Sequence, residues 1–467
     1  MPRQCLGGSV ARTVEVDYLV VGAGAAGMAF TDALVDHADV RVALVDRRHS
    51  VGGHWLEAYP FVRLHQASAF YGVASTLLGG GRLQTSGPET GLHERASLSE
   101  ICLYYERVLA RLLETGRVLL FAGCEYVGRR RIVSRVSGRE FEVPETCRIV
   151  DAHYLAPETP AGTPPPFEVG EGVDVVPVGG LASLGWAHSQ YVVVGSGKTG
   201  SDACTWLLAR GVDPDAICWV RPRDPWFFNR AVIQPDPAIF LGMVGEVMEA
   251  ATAATSLEDL FLRLEDAGVV LRVDRGTWPT MAKTPTLATW ELELLRSIEN
   301  VVRQGHVRRV DPGRITLEEG SVEVARDALV VHCAARGLQY PPLVPLWGPD
   351  AITLQPIRTG FPCFGAALAG YVEATRDDDA TKNRLCPPTP LPDTPASWVA
   401  ATVLGARATM SFGAEPDIKA WADTVALNPS RIPAGHPGGP ALDAAVSRLG
   451  ASAPKGLARL AELAGLS

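Results

Sequence analysis

The stretch VVVGSGKTGSD, residues 192–202, decides the fold. Its Gly197-Lys198-Thr199 fits two turns with unrelated consequences. One is the loop that wraps a β-phosphate in nucleotide hydrolysis; the other is the glycine turn of a dinucleotide-binding strand–turn–helix. A phosphate loop needs its first glycine five residues before the second. Counting back from Gly197 reaches Val192, inside a β-branched run that reads as strand. Gly195, Gly197 and Gly200 instead have the dinucleotide spacing: a tight turn, a close backbone approach to a pyrophosphate, and close packing of helix on strand. Lys198 and Thr199 then open a helix, and a β-rich run, ICWV, follows near 220.

The same pattern occurs earlier, in YLVVGAGAAGM. Gly22, Gly24 and Gly27 stand between a strand and an Ala-rich helix, with Ala25 and Ala26 in its first turn. Asp46 ends the next strand about 19 residues on, where a carboxylate accepts from a ribose hydroxyl. At the matching place the second unit carries Arg221 and Arg223, in WVRPRD, and a guanidinium there suits a 2′-phosphate. The two turns thus point to two dinucleotides, the second of them NADPH.

After Asp46 and Arg47 comes RHSVGGHW. Gly52, Gly53, His54 and Trp55 resemble the GG-x-W of flavin-containing and Baeyer–Villiger monooxygenases, and residues 58–73 resemble the YP…R stretch that follows there. Over residues 15–375 the chain resembles the FAD- and NADPH-binding monooxygenase superfamily, N-hydroxylating members included. That resemblance implies two Rossmann-like domains in an α/β fold, the NADPH domain inserted into the FAD domain. It implies FAD on the first turn and NADPH on the second. It also implies a small-molecule substrate oxygenated by O2 through a C4a-peroxyflavin, at nitrogen, sulfur or a carbonyl. The family's F-x-G…His fingerprint is not present in this form, since His188 and Ser189 lie only about seven residues before Gly195. Asp202 matches the family's acidic residue after the second turn. Ala334, Ala335 and Gly337 keep the small-residue character of its Ala-Thr-Gly strand end. An NADPH:acceptor reductase that never oxygenates, or a non-catalytic redox sensor, stays open on the sequence.

Expected domain limits are 1–165 for the FAD domain, 166–330 for the NADPH domain with a helical insert at 237–300, and 331–467 for the return and C-terminal segment. A Pro/Gly-rich linker is expected at 156–172, and the tail from about 377 reads as Pro- and Asp-rich, then weakly helical. Ser97 with Glu100, and Ser256 with Asp259, read as helix caps, and Pro362 as a helix start. That last helix would aim its positive end at reduced flavin. Arg63, His65, Gln66 and Arg358 are the candidate catalytic or substrate contacts, because two guanidinium groups near a flavin suit a carboxylate or phosphate.

The 467 residues are 47% hydrophobic and 20% charged, with net charge −9, which argues against nucleic acid or an anionic membrane surface as partner. No apolar run approaches the ~20 residues of a membrane span. Nine scattered cysteines without Cys-x-x-Cys, and an N-terminus without a signal-peptide core, lead to an expected cytoplasmic location. No metal set is singled out, and a homodimer is compatible with the resemblance.

Overall fold

The computed structural model describes residues 12–466 apart from 284, 335, 336 and 338, so Ala335 lies outside the described residues. Tyr18–Val21 (β1) leads through Gly22–Gly24 into Ala25–His37 (α1) and Val42–Asp46 (β2). Leu98–Glu114 (α2), Val118–Ala122 (β3) and Arg148–Asp151 (β4) follow. Helix α2 starts at the expected capping box: the Ser97 amide donates to the Glu100 carboxylate at 2.7 Å while the Ser97 hydroxyl accepts from the Glu100 amide. It stops before Gly116, which takes φ +69°.

The chain then builds a second sheet. Asp174–Pro177 (β5), Tyr191–Val194 (β6), Lys198–Ala209 (α3) and Ile217–Val220 (β7) come first. Pro237–Ala253 (α4), Leu257–Asp266 (α5), Thr289–Arg296 (α6), Val301–Val302 (β8) and Leu329–His332 (β9) complete it. Only then does Ile352–Thr353 (β10) rejoin the first sheet. Both sheets are five-stranded and parallel, in the orders β10-β4-β1-β2-β3 and β5-β9-β6-β7-β8. In each, the glycine-bearing strand lies between the strand that follows its helix and one that returns much later in the chain, so the strand order reverses there. Each glycine turn therefore sits at a topological switch point, at the carboxyl end of the strands. This is an α/β fold of two Rossmann-like units with the second inserted into the first.

The helical expectation for 237–300 holds for α4, α5 and α6. Between them, 270–271 and 286–287 instead pair with 227–229 in a small sheet. Ser256 caps α5 by accepting from the Asp259 amide at 3.1 Å.

The tail departs from the weakly helical expectation. Pro362–Thr375 (α7) begins at its proline, and Asp379–Leu385 (α8), Pro395–Gly413 (α9), Pro416–Thr424 (α10) and Pro440–Leu463 (α11) follow. Small residues allow the close crossings. A Cβ at Gly370 of α7 would lie 2.4 Å from the Phe30 carbonyl of α1. One at Gly456 of α11 would lie 2.5 Å from the Met248 carbonyl of α4. The sequence hid this because the partner of α11 is about 200 residues upstream, and the apolar stripe of α11 is interrupted by charged residues. Helices α4, α5, α7 and α9 share one apolar core with α1 and β1.

Candidate functional site

The first turn closes on itself. Asp46 is buried; one of its carboxylate oxygens accepts from the Ala23 amide at 2.8 Å and the other from the Arg48 amide at 2.8 Å. Asp46 thus fixes the turn from behind, while Arg47 beside it is exposed. The Gly52 amide donates to the Ala23 carbonyl, and Gly53, at φ +60°, runs against Gly24: a Cβ on Gly53 would lie 2.9 Å from the Gly24 Cα. Gly27 lets α1 lie on β1, since its Cβ would meet the Gly22 carbonyl oxygen at 1.9 Å. Trp55 is buried and donates from its indole to the Tyr71 hydroxyl at 2.6 Å. His54 stands against Trp55, and burial lowers its pKa to about 4.

The second turn repeats the packing rule: a Cβ at Gly200 would lie 2.0 Å from the Gly195 carbonyl oxygen. Above Gly197, however, a Cβ would meet nothing within 4 Å. Neither α1 nor α3 has a side chain capping its N-terminus, so their first amides keep free donors, Thr199 among them in α3. Two charged residues do not stand as expected. Lys198 turns from the phosphate side to pair with Asp202 and, at 3.5 Å, with Glu291. Arg221 is only 2% exposed; it pairs with Asp224 and lies 4.5 Å over the Trp219 ring. Its guanidinium supports the sheet end rather than facing a ligand. The signal was available in WVRPRD: Trp219 shares its strand face with Arg221, and Asp224 lies three residues on. The half-exposed cations here are Arg223, paired with Asp393 at 3.4 Å, and Arg303, paired with Asp224 and Asp274.

A strap, residues 59–66, joins the two units. The Tyr59 hydroxyl donates to Asp202 at 2.6 Å, and Phe61 stacks on Trp206 with centroids 4.8 Å apart. Arg230, 0% exposed, donates to the His65 carbonyl at 2.8 Å and pairs with Glu89 and Glu291. Arg95 also pairs with Glu89. Burial alone would raise the Glu291 carboxyl, but Lys198, Arg230 and Arg95 outweigh it and bring its pKa to about 2. Burial, with Lys198 and Arg230 nearby, lowers the His65 ring to about 3, and its Nδ1 accepts from the Thr286 amide at 3.4 Å. His65 is therefore neutral at pH 7. Sequence reading missed this cluster because its members come from four distant segments.

Of the four candidate catalytic residues, the structure brings only Gln66 and Arg358 together. They line a cavity of about 190 Å³ between α4, α9 and the loop before α7, whose other walls are mostly apolar, including Phe228, Met243, Val247 and Trp398. Arg63 lies elsewhere, exposed and donating to the Arg95 carbonyl at 3.1 Å, beside a polar cleft that Asp202, Trp206 and Glu291 also line. The pairing of Arg63 with Arg358 on one anion is thus corrected: the two line different openings. His188 and Ser189 are held by Asp327 in a loop, through the Asp327 carbonyl at 3.1 Å and its carboxylate at 2.6 Å. Phe228 reaches the cavity, whereas Trp226 and Phe227 are core.

Residues 20–70, which hold the first turn and the GG-x-W, match the family model described as an NAD(P)-binding Rossmann-like domain. The uncharacterized protein Rv2000 of Mycobacterium tuberculosis (strain H37Rv) is 44% identical over 422 residues, covering 90% of this chain and 78% of that protein. This chain belongs to the same family as Rv2000. Among solved structures, an oxidized steroid monooxygenase bound to NADP overlays with TM-score 0.47 at 14% identity, over 95% of this chain and 99% of that one. A flavin-containing monooxygenase from Stenotrophomonas maltophilia overlays at 0.40 and 15%, over 69% and 78%. A bacillithiol disulfide reductase from Staphylococcus aureus overlays at 0.40 and 10%, over 68% and 76%. Among the described residues of this Rv2000 relative, no helix is long and apolar enough to cross a membrane.

Proposed function

We propose that the protein is an FAD-dependent, NADPH-consuming monooxygenase acting on a small molecule. The observation that carries this reading is the pair of glycine turns at the carboxyl ends of two parallel sheets, joined by one strap that ends at a mostly apolar cavity. The turns fit the cofactors. Helices α1 and α3 begin at Gly24 and Gly197 with no capping side chain, and open space lies over Gly197. FAD would lie on the turn held by Asp46, Gly53 and Trp55, and the nicotinamide dinucleotide on the turn of Gly195–Gly200, with Arg223 the candidate for its 2′-phosphate.

Bound flavin supplies the passage of electrons from the nicotinamide to dioxygen. The chain's own residues do the rest. Neutral His65 accepts a proton or a hydrogen bond but does not donate one as imidazolium at pH 7. Met243, Val247 and Trp398 give the cavity the apolar walls that an oxygenating site uses against water. Gln66 and Arg358 supply its polar contacts.

The purified protein, reconstituted with FAD, should be yellow, oxidise NADPH and consume O2 faster when a substrate is added. Failure to retain flavin after reconstitution overturns the reading. The absent fingerprint favours a second reading, an NADPH:acceptor reductase. Labelled O2 separates the two: label in the substrate marks a monooxygenase, and NADPH oxidation without label in any product marks a reductase.

A further inference from the structure

We infer that the cavity beside Gln66 binds a small apolar carboxylate, with Arg358 holding its acid group. The inference rests first on a mismatch of charge. Three buried arginines around the two turns each have a carboxylate: Arg221 has Asp224, Arg95 has Glu89, and Arg230 has Glu89 and Glu291. Arg358 has none among the described residues. Its guanidinium reaches only neutral acceptors, the Asn428 side-chain oxygen at 3.4 Å and the Ser430 hydroxyl. It lies 5.8 Å from the Phe240 ring and 5.9 Å from the Phe361 ring, which orient it without neutralising it. Burial lowers its pKa to about 10, so it is still a cation at neutral pH. A half-buried charge without a counter-ion carries a desolvation cost, and a bound anion relieves that cost.

Shape and lining define the rest of the ligand. One guanidinium balances one negative charge and offers paired donors, which fits a carboxylate better than a dianionic phosphate. The remaining walls are mostly aliphatic and aromatic, Phe228, Ile233, Met243, Val247 and Trp398 among them, with threonines such as Thr402 and Thr409 between. A closed apolar cavity of about 150 Å³ holds benzene. The cavity here, about 190 Å³, therefore accommodates a ring or a short branched chain with one acidic arm. As a statement about the oxygenated substrate, the inference rests on the monooxygenase reading; as a statement about binding, it is measurable without any redox step.

The test is calorimetric titration of the full chain at pH 7, as purified and after FAD reconstitution, with phenylacetate and its neutral isostere phenylacetamide. Phenylacetate should bind at least about tenfold tighter, the scale of one charge-assisted pair. Arg358→Gln should abolish the preference while leaving phenylacetamide binding, and Arg358→Lys should keep part of it. Equal affinities in the wild-type protein overturn the inference with no variant needed. So does a preference that survives Arg358→Gln, or inorganic phosphate binding as tightly as phenylacetate. A preference seen only without flavin also overturns it, because the guanidinium then serves the flavin. Loss of flavin binding alone sinks the monooxygenase reading and leaves this titration standing.

Discussion

The two glycine turns share one spacing and one packing contact, yet they present different faces. At the first, Asp46 and the Gly52–Gly53 crossing brace the turn, and its acidic residue is occupied by backbone amides. At the second, the space over Gly197 is open, while Lys198 and Arg221 are both folded back onto carboxylates. Equivalent positions in a motif thus carry unequal work. The glycine spacing specifies how the helix meets the strand, whereas the charged residues at the strand end are placed by whatever surrounds them.

The largest effect should separate the glycines. Gly200→Ala puts a Cβ at 2.0 Å from the Gly195 carbonyl oxygen, and Gly27→Ala does the same to Gly22 at 1.9 Å. Both should lose more than about 4 kcal/mol, measured as denaturant midpoint or loss of soluble protein. Gly197→Ala should fold with stability within about 0.5 kcal/mol of wild type, yet bind NADPH about tenfold more weakly, because its methyl group stands where a pyrophosphate approaches. Equal stability loss at positions 197 and 200 would break the comparison.

The strand-end arginines come next. Arg221→Met leaves the buried Asp224 carboxylate to Arg303 alone and should cost about 3 kcal/mol. Arg223→Gln should change stability by less than about 0.5 kcal/mol while raising KM for NADPH, and not for NADH, about tenfold. If Arg221→Met instead leaves the melting temperature alone and raises only the NADPH KM, the inward arrangement of Arg221 is not the one that meets ligand.

The smallest effect is a pH slope. His65 titrates near 3 in the folded chain and about 6.5 unfolded. Above pH 6.5 it is neutral in both states and contributes no slope. Below that, the unfolded chain takes up a proton that the folded one refuses, so stability falls by ~1.4 kcal/mol per pH unit until about pH 3. His54 at the first turn adds a like slope down to about 4. Melting curves at pH 7, 6 and 5 should therefore decline less steeply for His65→Gln than for wild type. Parallel curves would mean that the ring takes up a proton inside the fold.

What was legible in the sequence was local. Glycine spacing, Ser97 with Glu100, Ser256 with Asp259, and the Pro362 helix start all act within a few residues of themselves. What was not legible depended on distant chain. Arg63 and Arg358 line different openings, and the last helix packs on α4, about 200 residues upstream. The Arg221–Asp224 pair is readable, being three residues apart at the end of the strand that holds Trp219, where neighbourhood outweighs charge type.

The strap has a mechanical consequence. Tyr59 is tied to α3 and His65 to Arg230, and the next residue, Gln66, forms part of the cavity wall. Eight residues of chain, 59–66, thus run from the helix that would receive the nicotinamide dinucleotide to the chamber that would receive the substrate. A displacement of α3 at one end of this segment would be felt at the cavity wall at its other end, because the chain between is too short to absorb it.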